Sequence, residues 1–158
     1  MFYSKWSMGT TEYEDALALR REVFIEEQQF SPESEPDEND AIAMHLKIYD
    51  ENGIFATGRL FPDGQGKFHI GRICVKQTHR KMGYGELLTR LLVYKAFTLG
   101  VETVYIGAQR SAQGFYQKIG FTPCGEEYYE EFCAHIPMCM PAAAYAGNCA
   151  AQIAQHLG

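Results

Sequence analysis

The chain has 158 residues, of which 46% are hydrophobic and 22% charged. A chain of this length fits one domain that buries roughly two-thirds of its unfolded surface, so it needs no disulfide or metal ion to fold. The formal charge of -6 disfavours a nucleic-acid-binding protein, whose surface would be basic, and favours a cationic partner.

Cysteine usage and hydropathy indicate a cytoplasmic protein. The cysteines are five in number and form no Cys-x-x-Cys pair, so they predict neither a disulfide framework nor a metal site. No apolar stretch reaches the roughly 20 residues that cross a bilayer, and the N-terminus lacks the apolar core of a signal peptide. We therefore expect reduced thiols and no membrane association.

The first third of the sequence predicts a helix, a loop and a hairpin. Thr11 and Glu14 have the spacing of a capping box, and the apolar stripe that follows predicts a helix over residues 12–27. Residues 31–40 contain two prolines and five carboxylates, which is typical of an exposed loop. Alternating apolar residues on either side of a turn at residues 50–53 predict an antiparallel hairpin over residues 43–60.

The rest of the sequence alternates strands and helices. A third strand is expected over residues 67–75, and a helix over residues 83–99 that Gly100 ends. A strand at 103–108, a helix that Ser111 caps and Gly120 ends, and a hairpin at 121–138 complete the order. This order predicts an α/β (α+β) fold with a mixed sheet flanked by helices, in one domain over residues 1–140.

Residues 141–158 form an alanine-rich extension that is weakly amphipathic. A docked helix, a contact in a homodimer and a frayed tail are all open, and we favour the helix.

The most informative segment joins an apolar strand to a glycine-bearing turn that opens a long helix. The first N–H groups of a helix have no intrahelical acceptor and lie at the positive end of its dipole, so they can hold a phosphate. Arg80 and Lys81 add charge there, while Gly83 and Gly85 let the backbone approach a diphosphate closely. We call residues 80–85 the anion seat.

The spacing of the anion seat excludes two common phosphate motifs. A nucleoside triphosphatase loop would require Gly-Lys-Ser/Thr, which does not occur here. A dinucleotide fold would place a third glycine near Leu88, which instead lies in an apolar helix stripe. The remaining pattern, Arg-x-x-Gly-x-Gly after a strand, resembles the coenzyme A pyrophosphate loop of the GNAT superfamily of N-acetyltransferases.

This resemblance covers about residues 13–138 and implies an acyl-CoA N-acyltransferase fold. It implies that the cofactor is held by Arg80, Lys81, Met82, Gly83, Tyr84 and Gly85 of the anion seat, by Ile73, Cys74 and Val75 of a bulged strand, and by Gln109 and Tyr116. Residues 21–28, 40–46, 56–60 and 125–138 further resemble the bacterial ElaA and YjcF-like group, whose acceptors are poorly defined.

Tyr116 matches the tyrosine that protonates the coenzyme thiolate in this superfamily. A phenol with a reference pKa of about 10 is protonated at neutral pH and is not much weaker as an acid than a thiol. Packing in the core is the alternative role of Tyr116.

The general base is harder to identify, because the strand at 103–108 carries no carboxylate where some relatives have a glutamate. An alkyl ammonium at neutral pH must lose a proton before it attacks, directly or through water. The candidates for the base or for acceptor contacts are Glu26, Glu27, Asp40, His45, Arg59 and His135.

The sequence thus predicts an N-acetyltransferase that transfers an acetyl group from acetyl-CoA to a primary amine of a small molecule or peptide. We expect direct attack, without a metal and without an acyl-enzyme on Cys74, because no base is paired with that thiol in the sequence. A non-catalytic acyl-CoA-binding module and a nucleotide-binding protein are the alternatives.

Overall fold

Eight strands form one sheet in the computed structural model, which describes residues 1–145. The strands are β1 (Tyr3–Met8), β2 (Met44–Asp50), β3 (Gly53–Pro62), β4 (Phe68–Val75), β5 (Thr103–Gln109), β6 (Thr122–Pro123), β7 (Tyr128–Glu130) and β8 (Cys133–Pro141). The α-helices are α1 (Glu14–Arg20), α2 (Tyr84–Thr98) and α3 (Gln113–Ile119), and a π-helix (Arg21–Glu27) continues α1. The predicted mixed sheet with flanking helices is confirmed.

The strand order is β1-β2-β3-β4-β5-β8-β6, with β7 also paired to β8. Every pair is antiparallel except β4 and β5, which run parallel. The parallel pair is short, because only Phe68–Ile70 of β4 are in register with Val104–Ile106 of β5. Past these residues the two strands separate.

One face of the sheet is covered by α2 and has an apolar core. Leu88 and Leu92 of α2 are fully buried against inward-facing residues of the strands such as Leu46 and Leu60. Gly58 allows this close packing, since a Cβ there would lie 2.7 Å from Leu92 Cδ1. The apolar stripe that predicts α2 is therefore what attaches the helix to the sheet.

The opposite face is covered by α1 and the π-helix. Leu19 and Val23 of these helices form a separate small cluster with Cys74. A β-bulge puts Cys74 on this face: Thr57 is in register with Cys74 and Arg59 with Gly71, so β4 has one extra residue. An extra residue reverses the alternation of side chains, which is why Ile70 and Cys74 face opposite sides.

Buried charges fill the rest of the α1 face. Arg20 is 1% exposed and pairs with Glu35 and Asp40, while Arg59 pairs with Asp37 and Asp40. Arg72 of the bulge completes this ion network with contacts to Glu35 and Asp37. Three guanidinium groups thus meet three carboxylates, and the balance of charge is what makes their burial tolerable.

The structure corrects the predicted N-terminus. Residues 3–8 form the edge strand β1, which pairs with β2 and was not predicted. The prediction of a capping box formed by Thr11 and Glu14 is wrong. The N-cap of α1 is Tyr13, which makes no side-chain hydrogen bond, and Thr11 belongs to the turn after β1. The helix expected over residues 12–27 is instead α1 followed by the π-helix, with Gln28 N bonded to Val23 O.

Two further predictions are wrong in detail. Residues 31–40 do not form an exposed loop: two 3-10 helices (Pro32–Ser34 and Glu38–Ala41) bring Glu35 and Asp40 into the ion network. A 3-10 turn over Arg110–Ala112 leads into α3, so Ser111 is not its cap. The helix predicted in the C-terminal extension falls largely on residues 146–158, which lie outside the described residues.

Among residues 1–145, no helix has the length and apolar character required to cross a membrane.

Candidate functional site

The anion seat lies at the N-terminus of α2. Gly83 is the N-cap with φ of +86°, a left-handed conformation that glycine adopts without strain, and it makes no side-chain cap. The first helical hydrogen bond runs from Leu87 N to Gly83 O, so the N–H groups of Tyr84, Gly85 and Glu86 precede the helical bonding pattern. The geometry is suited to an anion.

Arg80 crosses from the anion seat to the end of the π-helix. Its guanidinium pairs with both carboxylate oxygens of Glu27, at 2.8 and 2.9 Å, and its Nε donates to Val75 O at the end of β4. Lys81 and Met82 are exposed beside it. The side chain of Tyr84 points elsewhere and packs on Phe55.

A cleft opens where β4 and β5 separate. On the β4 side lie Ile73, Cys74 and Val75, directly after the bulge, where Arg72 has φ of +48°. On the β5 side, Gln109 donates its side-chain N–H to Gln28 Oε1 at 2.8 Å and so joins the strand to the end of the π-helix. The backbone of β4 beyond Ile70 is not paired with β5, which leaves peptide groups there for an extended ligand.

Tyr116 reaches this cleft from α3, on the α2 side of the sheet. Its side chain belongs to the main apolar core, yet it also lines the cavity described next. Burial raises the pKa of Tyr116 above its ordinary value, and the nearby Cys74 raises it further. The phenol is therefore protonated throughout the neutral range.

A cavity of about 480 Å³ extends from the cleft across the α1 face of the sheet. Its lining includes Ile73, Gln109 and Tyr116 of the cleft, together with Arg59, Arg72 and His135. Two loops roof it, since Ser31 donates to Glu131 through its N–H and hydroxyl and Phe30 stacks on Phe132 at 5.0 Å between ring centroids. The cavity is large enough for a small acceptor.

The structure separates the candidate bases into three groups. Glu26 is exposed, and Glu27 is held by Arg80. Asp40 and His45 are buried but do not line the cavity. Arg59 and His135 do line it.

Asp40 is a structural carboxylate. Burial opposes its ionisation, but hydrogen bonds and charge from Arg20, and then from Arg59, lower its pKa to about 2. A carboxylate with so low a pKa and two guanidinium partners is a poor proton acceptor. His45 lies behind it, with Nε2 3.2 Å from Asp40 O, and burial lowers the pKa of this imidazole.

Several residues that line the cavity were not predicted from the sequence, among them His69, Arg72, Tyr128 and Glu130. Arg20, which organises the ion network, was not predicted either. The position of Arg20 was a usable signal, because it falls between Ala16 and Val23 on the apolar stripe of the first helix. A charge on a buried stripe indicates a buried partner.

Comparison with known proteins agrees with the fold. Residues 10–142 match the acetyltransferase (GNAT) domain family. The chain is 33% identical over 129 residues to the uncharacterized N-acetyltransferase YjcF of Bacillus subtilis, covering 80% of this chain and 91% of that protein.

Two solved structures are similar over 89% of this chain and 99% of theirs. An acyl-CoA N-acyltransferase from Pseudomonas aeruginosa superimposes with a TM-score of 0.79 at 27% identity. Escherichia coli ElaA superimposes with a TM-score of 0.77, also at 27% identity. The chain therefore belongs to the GNAT acetyltransferase family, within its ElaA and YjcF-like group.

Proposed function

We propose that this protein is an acetyl-CoA-dependent N-acetyltransferase that acts on a primary amine by direct attack. The observation that carries the proposal is the cleft between β4 and β5, which begins at the anion seat and ends at a cavity that Tyr116 lines. A donor and an acceptor could meet there with a proton donor beside them, as acyl transfer requires.

The cofactor would lie along the cleft. Its pyrophosphate would sit on the N–H groups of Tyr84, Gly85 and Glu86, with the charges of Arg80 and Lys81 close by. The pantetheine arm would run past Gln109 and pair with the free backbone groups of residues 73–75. The acetyl group would then lie where Ile73 and Tyr116 line the cavity.

Tyr116 would protonate the departing thiolate. Burial at this place raises the pKa of the neighbouring Cys74 thiol to about 12, and a coenzyme thiolate desolvated beside it would be similarly basic. A buried phenol is then a competent donor, because the proton affinities of donor and acceptor rise together. The same pKa makes Cys74 a poor nucleophile, which supports direct attack.

The charges of the cavity favour a cationic acceptor. Its lining has four carboxylates, from Glu35, Asp37, Glu130 and Glu131, against the guanidinium groups of Arg59 and Arg72. Since Glu35 and Asp37 are paired with those guanidinium groups, the excess negative charge lies at Glu130 and Glu131. An ammonium group would be attracted to that end of the cavity.

The cysteines support action in a reducing compartment, for which we propose the cytoplasm. The four that the structure describes, Cys74, Cys124, Cys133 and Cys139, are free thiols.

The proposal is tested by incubating the purified chain with acetyl-CoA and a panel of alkyl amines, diamines and peptides with free amino groups. We expect release of free thiol that depends on the amine and saturates with acetyl-CoA. A raised melting temperature with acetyl-CoA but no thiol release would support the binding-module alternative. Stabilisation by ATP or NAD, but not by coenzyme A, would indicate a nucleotide-binding protein instead.

A further inference from the structure

Two histidines of the cavity wall are each paired with a carboxylate. His69 Nε2 lies 2.8 Å from Asp63 Oδ2, and His135 Nε2 lies 3.6 Å from Glu130 Oε2. A histidine beside a carboxylate is suited to accept a proton, because the imidazolium that forms is stabilised. The two pairs differ in their position along the sheet and in which ring nitrogen is left available to accept a proton.

The position in the sheet favours His135. His69 is in register with Tyr105, where β4 and β5 are still paired. His135 is in register with Gln109, four residues further along β5 and beyond the point where the strands separate. At about 3.3 Å per residue, His135 therefore lies roughly 13 Å closer to the cofactor end of the cleft.

Hydrogen bonding fixes the tautomer of His135. Its Nδ1 lies 2.9 Å from Cys133 O, and because a carbonyl oxygen only accepts, the neutral ring must carry its proton on Nδ1. The lone pair is then on Nε2, the nitrogen near Glu130. In His69 the pattern is reversed, since Nε2 must donate to the Asp63 carboxylate, which the N–H groups of Gln65 and Lys67 hold in the turn before β4.

The surroundings of His135 hold the ring in place. It is 5% exposed, and Tyr128 of β7 stacks on it at 5.5 Å between ring centroids. The hydroxyl of Tyr128 packs on Gly107 of β5, where a Cβ would lie only 2.1 Å away. The ionisable groups around the ring are Tyr128 and Glu130 of β7, Cys133 of its own strand, Glu131 of the turn, and Arg72 of β4 across the cavity.

We propose that His135 is the general base that deprotonates the acceptor, with Glu130 as the positioning residue; this rests on the proposed function. Nε2 takes one proton from the acceptor ammonium and passes it to solvent. The amine nitrogen then bonds to the thioester carbon and the C–S bond breaks. Tyr116 gives its proton to the coenzyme sulfur, and the second ammonium proton leaves the nitrogen as the amide forms and reprotonates the Tyr116 phenolate. The products are an amide and free coenzyme A.

The test compares His135→Gln, His69→Gln and Glu130→Gln with the wild type, using an amine that the wild type acetylates. We expect His135→Gln to lower kcat/KM about 10²–10⁴-fold at neutral pH. The loss should shrink as the pH rises, because more of the amine is then neutral in solution. An unchanged melting temperature would confirm that the variant folds.

The two other variants separate the roles. Glu130→Gln should change the acidic limb of the kcat/KM pH profile, because it removes the carboxylate that faces the proton-accepting Nε2. His69→Gln should keep that limb in place. If His69→Gln removes the limb and His135→Gln does not, the assignment of the base is wrong, while the proposed function stands.

A second readout does not depend on turnover. Nitrogen NMR of the labelled wild type should show His135 with its proton on Nδ1, and a proton on Nε2 of the neutral ring would overturn the assignment. If the wild type acetylates no amine in the panel, the proposed function fails first and the role of His135 fails with it.

Discussion

The two faces of the sheet are held by different physical means. Under α2 the contacts are apolar, and side chains such as Leu88 and Leu92 are buried without a polar partner. Under α1 the face holds three guanidinium groups, of which those of Arg20 and Arg59 are buried, three carboxylates and the cavity. The difference indicates that the two faces have different roles. The α2 face stabilises the fold, and the α1 face provides the polar surface on which an acceptor can be oriented.

Tyr116 is where the two faces meet, and its removal should have the largest effect. Tyr116→Phe keeps the ring in the apolar core but removes the proton donor, so we expect kcat to fall about 10²–10⁴-fold with little change in stability. Steady-state kinetics with acetyl-CoA and an active amine would measure this. An unchanged kcat across the pH range would mean that the phenol serves packing alone.

The α1 face should be the more sensitive to loss of a single charge. Arg20→Met would leave Glu35 and Asp40 buried without their main counter-charge, and we expect it to lower the free energy of unfolding by about 3–5 kcal/mol. Denaturant unfolding would measure the change. Arg110→Met is the matched control, because its ion pair with Glu127 is exposed and should contribute only about 0–1 kcal/mol.

On the α2 face, stability should depend on the volume of the side chains and not on their charge. Leu92→Ala should lower the free energy of unfolding by about 2–5 kcal/mol, because the fully buried side chain leaves a cavity. Gly58→Ala should destabilise the wild type, since its new methyl group meets Leu92, but should be tolerated better in the Leu92→Ala background. Equal effects of Gly58→Ala in both backgrounds would contradict this packing.

Acid should weaken the α1 face selectively. The pKa of Asp40 is lowered to about 2 in the folded chain, so its contribution to stability is present above the unfolded pKa near 4 and is lost as the pH falls toward 2. We expect a loss of about 2 kcal/mol over that interval from this residue. The pH dependence of unfolding should be shallower in Asp40→Asn, and an identical slope in both proteins would argue against the ion pairs.

The contrast between the apolar and the polar face also explains which parts of the structure could be predicted from the sequence. The prediction for α2, residues 83–99, agrees with Tyr84–Thr98 because its apolar stripe and flanking glycines are local signals. β1 was missed because it is an edge strand on which only Ser7 is buried, so it shows no hydrophobic alternation.

The polar face could be predicted only in part, because its partners are far apart in the sequence. Asp40 appeared available as a base until Arg20, twenty residues earlier, proved to hold it. His135 and its partner Glu130 are close in sequence. Only the three-dimensional structure shows that both line a cavity, which is covered by the loops that Phe30 and Ser31 hold together.

The central claim is that the chain transfers an acetyl group directly from acetyl-CoA to an amine. The most direct measurement is mass spectrometry after incubation with acetyl-CoA labelled in the acetyl group and the amine panel. We predict that the label appears on an amine, at a rate that Tyr116→Phe lowers, and that the protein itself stays unlabelled. Label that stays in acetyl-CoA with every amine, or that accumulates on Cys74, would contradict the account.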